Sequence, residues 1–240
     1  MNRHSVCIIG NSHIAAVKRA YAAYLRNSNS NQRVDFFGST ANSVCDTEMR
    51  DGKIVPTSEL VQRSWKMTSG GLEAIDLEQY EKIVIHGYLP SVPILLDLKR
   101  SLDNGTFYSF GVKVSHIINS NVSLDHLLRL LAHASVTNIC VSPRPPCYST
   151  VKRSETVQEH EYYELISFIT QVFLSLEIEF VPQPETTLNQ FVETKREYST
   201  GGVGLTSSPE PYGRTVTDDD IKHTNEVYGK IIMQKLGLVY

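Results

Sequence analysis

His4-Ser5-Val6-Cys7-Ile8-Ile9-Gly10-Asn11-Ser12-His13-Ile14-Ala15-Ala16-Val17 is the stretch that decides the fold. His4 to Ile9 reads as a short buried strand, and Gly10-Asn11-Ser12 as the turn that ends it. From His13 to Arg26 the apolar residues recur at helical spacing. The polar run at 27–32 (NSNSNQ) closes that helix, and Arg33 to Phe37 reads as the next strand, ending at Gly38.

The alternation continues outward. Between 39 and 71 the pattern breaks into short segments, with Asp51-Gly52 as a hairpin turn. Leu72 to Tyr80 reads as a short helix leading into the strand Glu81-Lys82-Ile83-Val84-Ile85-His86-Gly87. Leu89 to Leu102 looks helical around Pro90 and Pro93. Ser123 to Ala134 is an amphipathic helix with Ser123 as its cap. Thr137 to Ser142 is a strand cut off by Pro143, Pro145 and Pro146. Thr156 to Leu176 reads as a long helix, Glu177 to Val181 as a fifth strand, and Asp218 to Leu236 as a closing helix. The stretch 182–217 has no period, and its Gly201-Gly202-Val203-Gly204 piece reads as a lid or a plain surface loop.

Five β-rich runs separated by helices imply an α/β fold: a three-layer α/β/α sandwich around a five-stranded, mostly parallel sheet. No Pro-, Gly- or Ser-rich linker splits the chain, so 1–240 is expected to be one domain with insertions near 39–71 and 182–217.

Composition excludes more than it selects. The 240 residues carry 23 Lys plus Arg against 26 Asp plus Glu, a formal charge of −3, with 41% hydrophobic and 20% charged residues. That is ordinary globular composition, and it points to neither nucleic acid nor a membrane surface. The 4 cysteines form no CxxC or Cys/His pattern and no disulfide framework, so no metal is expected. The N-terminal apolar run is too short for a signal peptide or a span, and the expected location is the cytoplasm.

In such sheets chemistry collects at the carboxyl ends of the strands. Ser12 stands there, at the start of a helix, where its hydroxyl would face the crevice and its backbone N–H an oxyanion. Equally, Asn and Ser are preferred helix caps and need no catalysis to explain them. Near the other end Asp220-Ile221-Lys222-His223 places a carboxylate three residues before an imidazole. That pair can orient a histidine toward a nucleophile, or it can be helix-capping chemistry after Thr217.

Together the two segments resemble the SGNH/GDSL hydrolase superfamily. Gly10-Asn11-Ser12-His13 corresponds to its first block, usually Gly-Asp-Ser, and Asp220-x-x-His223, followed by Asn225, to its last. Val141-Ser142-Pro143-Arg144-Pro145-Pro146 matches the proline-rich segment after its fourth strand. The resemblance implies a flavodoxin-like SGNH fold and a triad of Ser12, His223 and Asp220 with no cofactor. It also implies an oxyanion hole from the N–H groups of Ser12, Ala41 and Gly87, with Gly70 or Gly71 as alternatives to Ala41. Asn11, His13, Tyr88 and Arg144 are the implied substrate contacts. The third block departs from the pattern: Gly87-Tyr88-Leu89-Pro90 has Leu89 where the family has its oxyanion-hole Asn. His86, Tyr88 or Asn42 are the candidates to replace that donor.

A histidine after the serine also occurs among SGNH domains linked to acyl transfer onto carbohydrates. The expected substrate is therefore an O-acyl ester, often acetyl, of a small molecule or carbohydrate. Water is the acceptor in an esterase; in a transferase an acyl donor is a further partner. An inactive SGNH-fold binding protein is the alternative. Two other features invite structural readings: His126 and His133 lie seven apart on one helix, and Tyr162, Tyr163, Phe168 and Phe173 would pack the long helix onto the sheet.

Overall fold

The computed structural model describes residues 5–28, 32–40, 42–104, 110–147, 157–204, 214–215 and 223–239. In chain order the elements are β1 (Ser5–Gly10), α1 (Ile14–Asn27), β2 (Arg33–Gly38), β3 (Thr47–Arg50), β4 (Lys53–Pro56) and α2 (Glu59–Ser69). There follow β5 (Ile75–Asp76), β6 (Lys82–Leu89), α3 (Val92–Asn104), α4 (Phe110–Asn119), α5 (Val122–His133) and β7 (Ile139–Pro143). The last described elements include α6 (Glu159–Leu174), β8 (Glu179–Phe180), β9 (Leu188–Asn189), β10 (Glu193–Thr194), α7 (Arg196–Ser199) and α8 (Glu226–Lys235).

The main sheet has five strands in the order β2-β1-β6-β7-β8, every neighbouring pair parallel. Burial on both faces explains the near-continuous apolar runs of β1 and β6. Odd and even residues serve different layers. Cys7, Ile9, Ile83, Ile85 and Val141 pack with residues of α2 to α6, whereas Val6, Ile8, Val84 and Cys140 pack under α1 and α8. Among the described residues, α1 and α8 on one face and α2 to α6 on the other give the three-layer α/β/α sandwich expected from the alternating pattern.

The order in which strands are added reverses between β1 and β6. After β1 the chain crosses to β2 on one side, then returns to β6 on the other. Ligand crevices in open α/β sheets form outside the carboxyl ends at such a switch point.

Several local expectations need correction. Residues 72–80 are not a helix: Ile75–Asp76 pairs with β4, and Leu77–Gln79 is a single 3₁₀ turn. Ile75 is wholly buried beside Ile54, so tertiary packing overrides the weak helical spacing. The 39–71 segment also contains the full helix α2. Ser58 caps it by accepting the Val61 N–H at 3.4 Å, and Gly70 ends it at φ +82. Its signal was thin because the buried residues are only Val61, Trp65 and Thr68. Trp65 meets Phe37 of β2 edge-on at 5.3 Å.

The cap of α5 is Asn121, whose Oδ1 accepts the Leu124 N–H at 2.9 Å; Ser123 is buried in the first turn instead. Helix α4 was not foreseen. Pairing of Arg50 with Lys53, and positive φ at Asp51 and Gly52, form the hairpin that Asp51-Gly52 signalled. The closing helix starts at Glu226 rather than at 218. Residues 223–225 are non-helical, and Asn225 caps α8 through the Tyr228 N–H at 3.1 Å. Tyr162 and Phe173 bind α6 to the core, but Tyr163 is exposed, with its hydroxyl on Glu185 at 2.9 Å. No helix among the described residues is long and apolar enough to cross a membrane.

Candidate active site

The turn after β1 is built by its own side chains. Ile14 N–H reaches the Asn11 carbonyl at 3.1 Å and Ala15 N–H the Ser12 carbonyl at 3.2 Å, which starts α1 directly after the strand. Asn11 works in both directions. Its Oδ1 accepts the His13 N–H at 3.1 Å, and its Nδ2 donates to the Gly87 carbonyl at 2.6 Å, across the switch point.

Two glycines make this approach possible. A Cβ at Gly10 would lie 2.1 Å from Ile14 Cγ2 and 2.5 Å from the His86 carbonyl. Gly87 has φ +87, and a Cβ there would fall 2.6 Å from Asn11 Oδ1. The sequence offered Asn11 as a substrate contact; in the structure its amide is committed to clamping β1 onto β6.

Ser12 is half-buried at the rim of this turn. The chain's other end comes to the next residue, His13: its ring and that of His223 stand 5.8 Å apart, tilted by 36°. Residues nearly the full chain length apart therefore meet above the end of β1. Asn225, two residues beyond His223, anchors the segment. Its N–H donates to the Tyr198 carbonyl at 2.8 Å, and its Nδ2 to the carbonyls of Glu197 at 2.7 Å and Thr200 at 2.9 Å. Asp220 and Ala41 lie outside the described residues.

Around the crevice the other candidates have distinct environments. Ser39, at the end of β2, is buried; its N–H extends the β1 pairing to the Gly10 carbonyl at 3.0 Å, and its hydroxyl bonds the Tyr88 hydroxyl at 2.8 Å. Burial raises the Tyr88 pKa, more than the Ser39 bond lowers it, so the phenol stays protonated. The Tyr88 carbonyl accepts Asn121 Nδ2 at 2.5 Å. Asn42 Oδ1 accepts the Ser123 hydroxyl at 3.0 Å.

Gly71 N–H is committed to the Lys66 carbonyl at 2.7 Å as part of the α2 terminus. Leu89 is wholly buried in the core. Arg144 is exposed at the end of β7, its own N–H on the Leu89 carbonyl at 2.9 Å. His86 is wholly buried, and loss of hydration pushes its pKa down to about 4, so it is neutral at pH 7.

Two histidines outside the crevice have local partners: His126 Nε2 on Thr47 Oγ1 at 3.0 Å, and His133 Nδ1 at 3.1 Å from the Arg129 carbonyl. Sequence reasoning did not find the Ser39–Tyr88 pair or the Asn121 tie. Both are contacts between distant segments, and neither leaves a local pattern. Gln183, buried after β8, donates to the hydroxyls of Thr187 at 3.0 Å and Thr194 at 3.3 Å; Thr194 in turn donates to the Pro146 carbonyl at 2.6 Å.

No family profile matches the sequence, and no curated protein resembles it detectably. Solved structures share the fold loosely. A candidate platelet activating factor from Streptococcus pneumonia is 13% identical, with a TM-score of 0.46 over 99% of this chain and 84% of that one. A candidate acylhydrolase from Bacteroides fragilis is 10% identical, with a TM-score of 0.44 over 99% and 86%. A GDSL-like lipase from Bacteroides thetaiotaomicron is 9% identical, with a TM-score of 0.39 over 98% and 89%. At these values the likeness says nothing of activity.

Proposed function

We propose that the protein is an SGNH-type serine esterase or acyltransferase acting on O-acyl esters, acetyl esters of carbohydrates foremost. The observation that carries this reading is the meeting of His13, the residue after Ser12, with His223, 5.8 Å between ring centroids. In this reading Ser12 Oγ attacks the acyl carbonyl and passes its proton to His223. The tetrahedral intermediate collapses, the C–O bond to the sugar breaks, and His223 returns the proton to the departing oxygen. Water or a second sugar hydroxyl then takes the acyl group from Ser12, with His223 again as the base. Asp220 holds the imidazole tautomer. Ser12, Ala41 and Gly87 supply backbone N–H groups to the oxyanion, and Arg144 flanks the acceptor; Tyr88, buried on Ser39, is not open to it. The reaction calls for no cofactor and takes place in a reducing cytoplasm, in keeping with the free thiols Cys7, Cys45, Cys140 and Cys147.

Turnover of aryl acetates and acetylated monosaccharides by the wild type, Ser12→Ala and His223→Ala tests the reading. Each variant is expected to lose roughly 10⁴-fold or more in kcat. A wild type no faster than Ser12→Ala in hydrolysis, and in transfer to sugar acceptors, overturns it. The second reading, a binding protein with the same crevice, is favoured by Leu89. That residue is buried in the core where the family places its oxyanion Asn. One such donor is worth about 10²–10³ in rate. The binding reading predicts ligand affinity unchanged by His223→Ala and no covalent intermediate.

A further inference from the structure

One rung of the central sheet changes chemistry near the carboxyl ends. Ile8, Val84 and Cys140 stand side by side on the face covered by α1 and α8, all apolar. Two residues further, the same face carries Gly10, His86 and Ser142 in register. His86 and Ser142 are fully buried, and among the described residues neither His86 ring nitrogen nor the Ser142 hydroxyl has a hydrogen-bond partner.

The covering layer repeats the pattern. Thr224, next to His223, and Tyr228, in the first turn of α8, are both buried, and among the described residues neither hydroxyl has a partner. Tyr228 belongs to the same packed cluster as Val84 and Cys140, so its ring lies on this face of the sheet. On the β1 side Ile14 packs on the bare backbone of Gly10, its Cγ2 2.1 Å from where a Cβ would stand.

These groups are complementary yet do not bond one another. A neutral imidazole offers one donor and one acceptor, and each hydroxyl offers both. Buried polar atoms seldom stay unpaired, and a water needs two to four polar partners to be held inside a protein. No buried cation stands in this set to hold an anion, and one imidazole with hydroxyls makes a poor metal site. Water is the ligand that fits.

We propose that His86 and Ser142, roofed by Tyr228, bind a resident water that positions the end of β6. There Gly87, the next residue after His86, receives the Asn11 side chain at 2.6 Å. His86 and Ser142 act as positioning residues, and the site is independent of whether Ser12 is a nucleophile.

A crystal structure of the wild type at about 1.5 Å, with the ring ¹⁵N spectrum of His86, tests the site. The expected result is an enclosed water within about 2.6–3.2 Å of a His86 nitrogen and of Ser142 Oγ, and a single neutral tautomer at pH 7. In Ser142→Ala the water is lost or displaced and the tautomer signal shifts, while the Gly87 amide resonance moves with it. A wild type with no density between these groups, or His86 and Gly87 signals that ignore Ser142→Ala, overturns the proposal. Failure of Ser12 to react with any acyl ester would leave these readouts untouched.

Discussion

Asn11 Nδ2 lies 2.6 Å from the Gly87 carbonyl oxygen, so the turn bearing Ser12 is fastened to the neighbouring strand across the switch point of the sheet. A carboxylate at this position cannot donate that bond. Asn11→Asp, although it restores the residue usual in the resembling family, places an acceptor against an acceptor. Denaturant unfolding should show a loss of about 1–3 kcal/mol, the cost of a part-buried acceptor facing an unpaired carbonyl.

The partner glycine carries two demands at once. At φ +87 an L side chain is strained, and its Cβ would also stand 2.6 Å from Asn11 Oδ1. Gly87→Ala should therefore destabilise by about 2–4 kcal/mol, strain and displacement together. The comparison is Gly70→Ala, whose φ is +82 but whose Cβ meets nothing within 4 Å. Thermal unfolding of both variants separates the two contributions, with Gly87→Ala the lower.

His86 gives stability a pH dependence. Burial pushes its pKa from 6.5 down to about 4, so between those values the unfolded chain binds a proton that the folded one refuses. The contribution is complete above pH 6.5, is lost progressively as the pH falls to about 4, and amounts to about 3 kcal/mol. Unfolding free energies from pH 8 to pH 4 should slope accordingly. His86→Gln removes this slope, whatever its effect on stability at pH 7.

Helix α8 is seated by a backbone contact. A Cβ at Gly229 would lie 2.1 Å from the Ala16 carbonyl oxygen of α1. Gly229→Ala must push the helices apart, at about 1–3 kcal/mol. Because α8 follows directly on Asn225 and His223, the shift should also reduce the rate at which Ser12 is labelled by a serine-directed phosphonate. Melting temperature and labelling rate, measured together, should fall in the same variant.

How much of this was legible in the sequence depended on whether the signal was local. β1, α1, β2, β6, β7 and α6 are long or strongly patterned, and each was readable from periodicity. Gly10-Asn11-Ser12-His13 marked the end of β1, and Asn225 marked the segment that carries His223. What stayed hidden was set by tertiary contact. Ile75 is a strand residue because Ile54 is there to pack on it, and α2 shows only three buried positions. His86 is a buried neutral imidazole because of its register with Gly10 and Ser142, which only the sheet order reveals. The acidic run at 218–220 imitates a helix N-terminus, so the sequence places the start of α8 too early. The true cap is Asn225, whose amide also ties this segment to α7.

The account stands most directly on whether Ser12 is a nucleophile served by His223. Incubation with a fluorophosphonate, followed by intact mass and peptide mapping, measures it. The expected result is one adduct per chain, on Ser12, abolished by Ser12→Ala and slowed at least 10³-fold by His223→Ala. A wild type that stays unmodified, or an adduct on another residue that persists in Ser12→Ala, would contradict it.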